Sequence, residues 1–304
     1  MKERNESDTM SSVRSSEIRP KYKQESGKCA PAIKFENGSC LDLDSMIELA
    51  HAYNEETNTK PIKLKTKLDT LNPTKYKRYL VREFGKRLDK LCDNQSCWLR
   101  QSFVNKIKES ARKRIKTSYH RPPGPQKQFE WLNTINIEKV MNQYSNKYPE
   151  FIFMGAVPID FDSLPLPISS MDLGQLENEG IHKIGVIFNI DEHWQPGSHW
   201  VASYFDIKDG QVYFFDSYGE RPDPRIRKLM RRVTNYINQK GGKTIDVRHN
   251  NIRHQYKGSE CGVYSINFIE RLLEGDSFDK IINDRTDDNT INKFRNRYFY
   301  NVNI

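Results

Sequence analysis

The stretch His199–Asp216, HWVASYFDIKDGQVYFFD, decides the fold. Two apolar runs, HWVASYFD over 199–206 and QVYFFD over 211–216, flank Lys208-Asp209-Gly210-Gln211. Asp-Gly between two such runs is a hairpin signal, so the stretch reads as a pair of antiparallel strands. In that pairing the start of the first strand lies beside the end of the second. His199 and Asp216 are thereby neighbours, an imidazole next to a carboxylate at one sheet edge, which is what a general base and its orienting group require.

Working outward, KIGVIFNI over 183–190 reads as a buried strand and Thr244 to Arg248 as another. Ile137 to Tyr144, with Ile137, Val140, Met141 and Tyr144 on one side, reads as a helix, as does Pro224 to Asn238. Cys261 to Leu273, CGVYSINFIERLL, is a strongly apolar helix, and a basic amphipathic helix closes the chain over 288–300. The class is α+β, an antiparallel sheet flanked by helices. Upstream, Arg121-Pro122-Pro123-Gly124-Pro125 cannot continue a helix and marks a boundary. Before it, amphipathic patterns predict helices over Leu41–Tyr53, 76–91 and Leu99–Ile115, while the Ser/Lys/Glu-rich residues 1–40 are expected to be disordered. The expected organisation is a tail over 1–40, a basic helical domain over 41–120, a Pro/Gly linker over 121–126 and a catalytic domain over 127–304.

Charge follows the same division. The chain of 304 residues carries a formal net charge of +9, but residues 1–59 sum to −3, residues 60–121 to +14 and residues 122–304 to −2. The basic excess thus belongs to the middle segment, a candidate surface for nucleic acid or another acidic partner. No run approaches the length of a membrane span and no secretory leader is expected. Five cysteines, Cys29, Cys40, Cys92, Cys97 and Cys261, are too sparse and odd in number to read as a disulfide framework, which points to a reducing compartment. Cys92 and Cys97, with four residues between them, could form half of a zinc site, but no second Cys/His pair follows at finger-like spacing, so no metal is expected. Gly-rich phosphate loops and a Gly-x-Ser-x-Gly turn are absent from the sequence.

Cys261 sits in Gly258-Ser259-Glu260-Cys261-Gly262, a polar turn directly before the apolar helix. A sulfur at a helix N-terminus faces unpaired N–H groups that favour a thiolate, so Cys261 is a candidate nucleophile rather than core filling. Among the seven histidines, His51, His120 and His182 lack a partner pattern, His193 and His199 make a weak metal pair, and His249 and His254 read equally as surface residues. His199, presented by the loop Pro196-Gly197-Ser198, has the carboxylate.

His199-Trp200, Tyr213-Phe214-Phe215-Asp216-Ser217, Gln255 and Ser259-Glu260-Cys261-Gly262, in that order, resemble the signature of the Ulp1-like cysteine proteases, a papain-type core with a central mixed or antiparallel sheet. Asn251-Ile252-Arg253-His254-Gln255, the Arg-Pro-Pro-Gly-Pro boundary and Lys293-Phe294-Arg295 are similar to the family's viral branch. The resemblance implies that Cys261 is the nucleophile, His199 the base and later the acid, and Asp216 the group that holds the imidazole. It implies that Gln255 donates to the oxyanion and that Trp200 roofs a channel admitting glycine-like residues. It further implies an endopeptidase without cofactor that cuts after Gly-Gly motifs in viral structural polyproteins during virion maturation, or one that acts on SUMO or another ubiquitin-like protein. Its place of work is then the host cytoplasm, at the viral factory, or the virion. A reading of a different class is a nucleic-acid-binding assembly factor acting through residues 60–121.

Overall fold

The computed structural model describes residues 27–300 apart from residues 32, 58–59, 65–71, 126, 128 and 243. The chain forms two compact units, one containing residues 35–108 and the other residues 27–34 together with 109–300. Of the disordered tail predicted over 1–40, residues 1–26 lie outside the described residues. Residues 28–30, assigned to the same tail, are built into the second unit instead. Cys29 and Ala30 are buried, Ala30 N–H donates to the Tyr119 carbonyl at 3.0 Å, and Arg121 Nε donates to the Cys29 carbonyl at 2.8 Å.

In the first unit, α1 (Leu43–Glu56) starts at Asp42, whose carboxylate accepts the Ser45 N–H, and α2 (Pro73–Leu88) starts at Asn72 with Pro73 in the first turn. Both starts follow the preference for a short side-chain acceptor before the helix and for proline just inside it. Their apolar faces meet around Leu49, Leu80 and Phe84, with Trp98 stacked on Phe84 at 5.4 Å. The helix expected over Leu99–Ile115 is broken. A 3-10 segment, Ser102–Lys106, is followed by extended backbone at Ile107, and α3 (Glu109–Ser118) begins afresh. Packing of the Phe103 ring on Tyr53 at 5.4 Å overrides the helical spacing.

Cysteine pairing also differs from expectation. Cys92 and Cys97 form a disulfide, and among the described residues Cys261 is a free thiol. The turn after α2 and the short helical turn Gln95–Trp98 bring the Cys92 and Cys97 Cα atoms to 5.4 Å, within bridging range.

The second unit is built on a five-stranded sheet in sequential order: β1 (Phe151–Pro158), β2 (Lys183–Asn189), β3 (Trp200–Asp206), β4 (Gln211–Phe215) and β5 (Asp246–His249). The inner pairs β2–β3 and β3–β4 are antiparallel and the outer pairs β1–β2 and β4–β5 are parallel, so the sheet is mixed. β1 has no counterpart in the sequence reading. It carries Gly155 at φ +119 where its register against β2 shifts, which interrupts the apolar pattern. The hairpin turn is tied by Asp206, whose carboxylate accepts the N–H groups of Lys208 and Asp209 at 3.0 Å.

One sheet face, with Trp200, Ala202 and Phe215, packs on α4 (Thr134–Lys147) and its Ile137, Val140 and Met141. The other face, with Val201, Phe205 and Phe214, packs on α6 (Pro224–Lys240) through Ile226, Leu229 and Val233. Between them in sequence lies the single-turn-and-a-half α5 (Leu173–Asn178). α7 (Cys261–Leu273) is buried along nearly its whole length beneath the first face, and α8 (Phe278–Asn283) follows. The closing helix predicted over 288–300 is instead two short ones, α9 (Asp288–Lys293) and α10 (Arg295–Tyr298), because Arg295 turns inward to become fully buried. The proline-rich boundary lies against this end: Tyr300 N–H donates to the Pro122 carbonyl at 3.1 Å.

Candidate active site

The hairpin places the imidazole. β3 and β4 pair with Ala202 opposite Phe215 and Asp206 opposite Gln211, and continuing that register sets Asp216 diagonally across from His199. His199 Nε2 lies 2.6 Å from Asp216 Oδ1, with both side chains buried. Asp216 is itself held. Its N–H donates to Asn250 Oδ1 at 2.9 Å, and Asn250 Nδ2 returns a bond to the Asp216 carbonyl at 2.7 Å.

Cys261 is the first residue of α7 and is 3% exposed. Its sulfur faces the positive end of a 13-residue helix whose start has no side-chain cap. The charge of the Cys261 side chain adds to that of Asp216 in favouring the charged form of His199. Since Nε2 is occupied by Asp216, Nδ1 is the ring nitrogen left for the sulfur. Burial opposes the imidazolium, but the hydrogen bond to Asp216 and the charges of Asp216 and Cys261 outweigh it and raise the His199 pKa to about 9. The imidazole is therefore mainly protonated at neutral pH, the state that pairs with a thiolate and can later give a proton to a leaving amine.

The loop before Cys261 is fixed from below. Glu260 is fully buried and accepts from the Ser259 N–H at 2.8 Å and from Asn292 Nδ2 at 2.6 Å. The Arg295 guanidinium donates to the Ser259 carbonyl at 2.8 Å, the Glu130 carbonyl at 2.8 Å and Asn292 Oδ1 at 3.0 Å. One buried cation thus ties the turn carrying Cys261 to the segment leading into Leu132. Gly262 is needed there, since a Cβ would meet Leu132 Cβ at 3.0 Å.

Gln255 is fully buried next to this turn. Its Oε1 accepts the Ser217 hydroxyl at 2.6 Å, which orients the amide, and its Nε2 donates to the Lys257 carbonyl at 2.8 Å, leaving one amide hydrogen for a ligand. The segments 216–219 and 250–255 are zipped together: the Ser217 carbonyl accepts the N–H groups of both His254 and Gln255. Trp200 is 5% exposed, and its indole N–H donates to the Leu132 carbonyl at 2.8 Å.

Some neighbours were not singled out from sequence. Tyr218 stacks on the His199 ring at 4.4 Å and 11°. The hairpin register puts Tyr218 opposite His199, so counting outward from the Asp-Gly turn could have found it. Asn250 and Arg295 carry no local signal, because their partners are distant in sequence. The remaining histidines stand apart from the base's role. His182 faces Asp206 at 3.2 Å and His193 faces Asp160 at 2.6 Å, while His254 is buried edge-on to Phe215 with burial lowering its pKa to about 4. Among the described residues no group of three or more His, Cys, Asp or Glu side chains is arranged to hold a metal, and no helix is long and apolar enough to cross a membrane.

Known proteins share this arrangement of chain. The model of the Ulp1 protease family, C-terminal catalytic domain, matches residues 181–303, which contain His199, Asp216, Gln255 and Cys261. A protein of Acanthamoeba polyphaga mimivirus named as a thiol protease is 38% identical over 279 residues, covering 88% of this chain and 90% of that one. A cysteine protease of African swine fever virus is 26% identical over 227 residues, 68% of this chain and 83% of the relative, and the protein of another isolate, 25% identical over the same shares, is named a SUMO-1 cysteine protease. The crystal structure of the African swine fever virus protease superposes with a TM-score of 0.59 at 23% identity, over 81% of this chain and 98% of that one, which shows a common fold. A free thiol at a helix start beside a carboxylate-held imidazole, on this sheet and with these relatives, makes the chain a cysteine protease of the Ulp1 family.

Proposed function

We propose that the enzyme is an endopeptidase that cuts after Gly-Gly-type motifs in viral structural polyproteins during virion maturation. The observation carrying the proposal is the imidazole of His199, bonded to Asp216 through Nε2 and favoured in its charged form by Asp216 and by Cys261, the free thiol that starts α7. In the reaction the Cys261 thiolate attacks the scissile carbonyl, forming the C–S bond. The imidazolium gives its proton to the leaving amine as the C–N bond breaks. Water then attacks the thioester while neutral His199 takes its proton, and the C–S bond breaks to release the acid and restore the thiolate and the imidazolium. The free hydrogen of the Gln255 amide and the N–H groups at the start of α7 serve the developing oxyanion, where losing one donor typically costs about 10²–10³ in kcat. Trp200, immobilised by the Leu132 carbonyl, makes a fixed wall beside His199, and a fixed aromatic wall favours residues without side chains next to the cut. The viral proteases similar to this chain support a viral substrate, and the proposed place of work is the host cytoplasm or the virion.

A second reading, processing or deconjugation of a SUMO-like protein, draws on the relative named a SUMO-1 cysteine protease. Incubating the protein with Gly-Gly-Xaa peptides and with a SUMO precursor separates the two: cleavage of the peptides supports the first, and cleavage of the precursor alone overturns it. The excess of +14 over residues 60–121 supports a separate role in binding nucleic acid. Such binding should weaken steeply as salt is raised, and absence of binding at low salt would remove it.

A further inference from the structure

We infer that Arg253, held between Tyr218 and Tyr256, is a specificity subsite for an acidic side chain of the substrate, within about three residues of the bond cut. The inference rests on the peptidase reading above and adds to it a charged recognition element.

The Arg253 Cζ lies over the Tyr218 ring, 5.0 Å from its centroid, and over the Tyr256 ring, also 5.0 Å from its centroid, so two aromatic faces hold the guanidinium by cation–π contact. Its Nε donates to the Gln255 carbonyl at 2.7 Å, a third restraint. Among the described residues, no ion pair or hydrogen bond engages the two terminal nitrogens of Arg253, and no carboxylate pairs with it. Nearby arginines differ: Arg248 bonds to Asp279 and Arg271 to Asp276. Arg253 is exposed and Tyr256 is 66% exposed, so the guanidinium is within reach of a substrate. Lys257, in the same loop, has its ammonium on Asn289 Oδ1 at 2.6 Å.

Location ties this cation to the reaction. Tyr218 stacks at 4.4 Å on His199, and with the 5.0 Å from Tyr218 to Arg253 the guanidinium stays within about 9 Å of the imidazole, which an extended chain covers in about three residues. A planar guanidinium stacked on aromatic rings keeps its charge and loses little side-chain freedom on binding, and its fork matches a carboxylate. A guanidinium held by two aromatic rings and unneutralised by any carboxylate is the arrangement expected of a carboxylate receptor.

The test uses the full chain and peptides containing Gly-Gly at the cut, with Glu or Gln at each of three positions on either side. The expected result is a position at which Glu is preferred over Gln by about fivefold in kcat/KM, the size of a well-aligned surface pair. Arg253→Gln should bring that ratio to about one, and Arg253→Glu should favour a Lys peptide over the Glu peptide. Each ratio is taken within one sample, so partial unfolding of a variant leaves it unchanged. A Glu preference that survives in both variants, or cleavage with no preference at any position, overturns the inference and leaves the peptidase reading standing. Failure of the wild-type protein to cut any of the peptides overturns that reading and the inference with it.

Discussion

Replacing Asp216 by Asn keeps the side chain's shape and removes its charge, isolating what the carboxylate does for His199. The wild-type imidazole has a pKa raised from the ordinary 6.5 to about 9 although burial opposes its charge. That difference corresponds to about 3 kcal/mol of preference for imidazolium, drawn from Asp216 and Cys261 together. A hydrogen bond to a charged group contributes about 1.5–3 kcal/mol, so the Asn variant should bring the imidazole down to roughly pH 7–8 or lower. The assay is kcat/KM against pH, from about pH 5 to 10, with a fluorogenic peptide carrying Gly-Gly before the leaving group. In the wild type the alkaline limb, where the imidazolium loses its proton, should fall near pH 9, and in Asp216→Asn it should move to roughly pH 7–8, with activity at neutral pH reduced. Stability should follow the same group. A pKa higher in the folded than in the unfolded chain adds stability that is fully present below about pH 6.5 and is lost as pH rises through about 9. The wild type should therefore lose up to about 3 kcal/mol over that window, and the variant less. An alkaline limb that stays near pH 9 in the variant would refute the role given to Asp216.

Further outcomes are expected elsewhere. Cys261→Ala should abolish turnover in a chain that still folds, and a variant that still cleaves would remove Cys261 as nucleophile. Arg295→Met strips donors from the buried Ser259 and Glu130 carbonyls and should cost about 3 kcal/mol or more in urea unfolding; a loss below about 1 kcal/mol would contradict its tying role. Gly219→Ala places a Cβ 2.9 Å from the Ile252 carbonyl carbon at φ +79, where backbone cannot yield cheaply. It should cost about 1–3 kcal/mol and lower kcat through the segment carrying Gln255, and an unchanged midpoint would speak against the strain.

What the sequence discloses is mostly local. The Asp-Gly turn sets the β3–β4 register, and the register alone makes His199 and Asp216 neighbours. α7 runs from Cys261 to Leu273 as its apolar pattern predicts, because a polar turn precedes it and its buried face dominates. Where distant groups decide, the pattern misleads. β1 escapes because its partner β2 lies across a long crossover and Gly155 breaks its pattern. The closing helix splits because Arg295 leaves the solvent to reach carbonyls at 130 and 259, a pull that helical periodicity cannot register. The cysteines mislead for a similar reason: their small number says little about Cys92 and Cys97, which a local turn brings together. Residue identity gives the candidate chemistry and the hairpin register reaches Tyr218, but Asn250 and Arg295, which hold the site in place, emerge only from the folded chain.

In the proposed reaction Cys261 is the sulfur that attacks the carbonyl of a Gly-Gly motif. A peptide ending in Gly-Gly with an electrophile in place of the scissile carbonyl, followed by intact-mass and peptide-mapping mass spectrometry, tests this directly. The predicted result is one adduct per chain, mapped to Cys261, with turnover lost in step with labelling. An adduct at another residue, or full turnover by labelled protein, would contradict it.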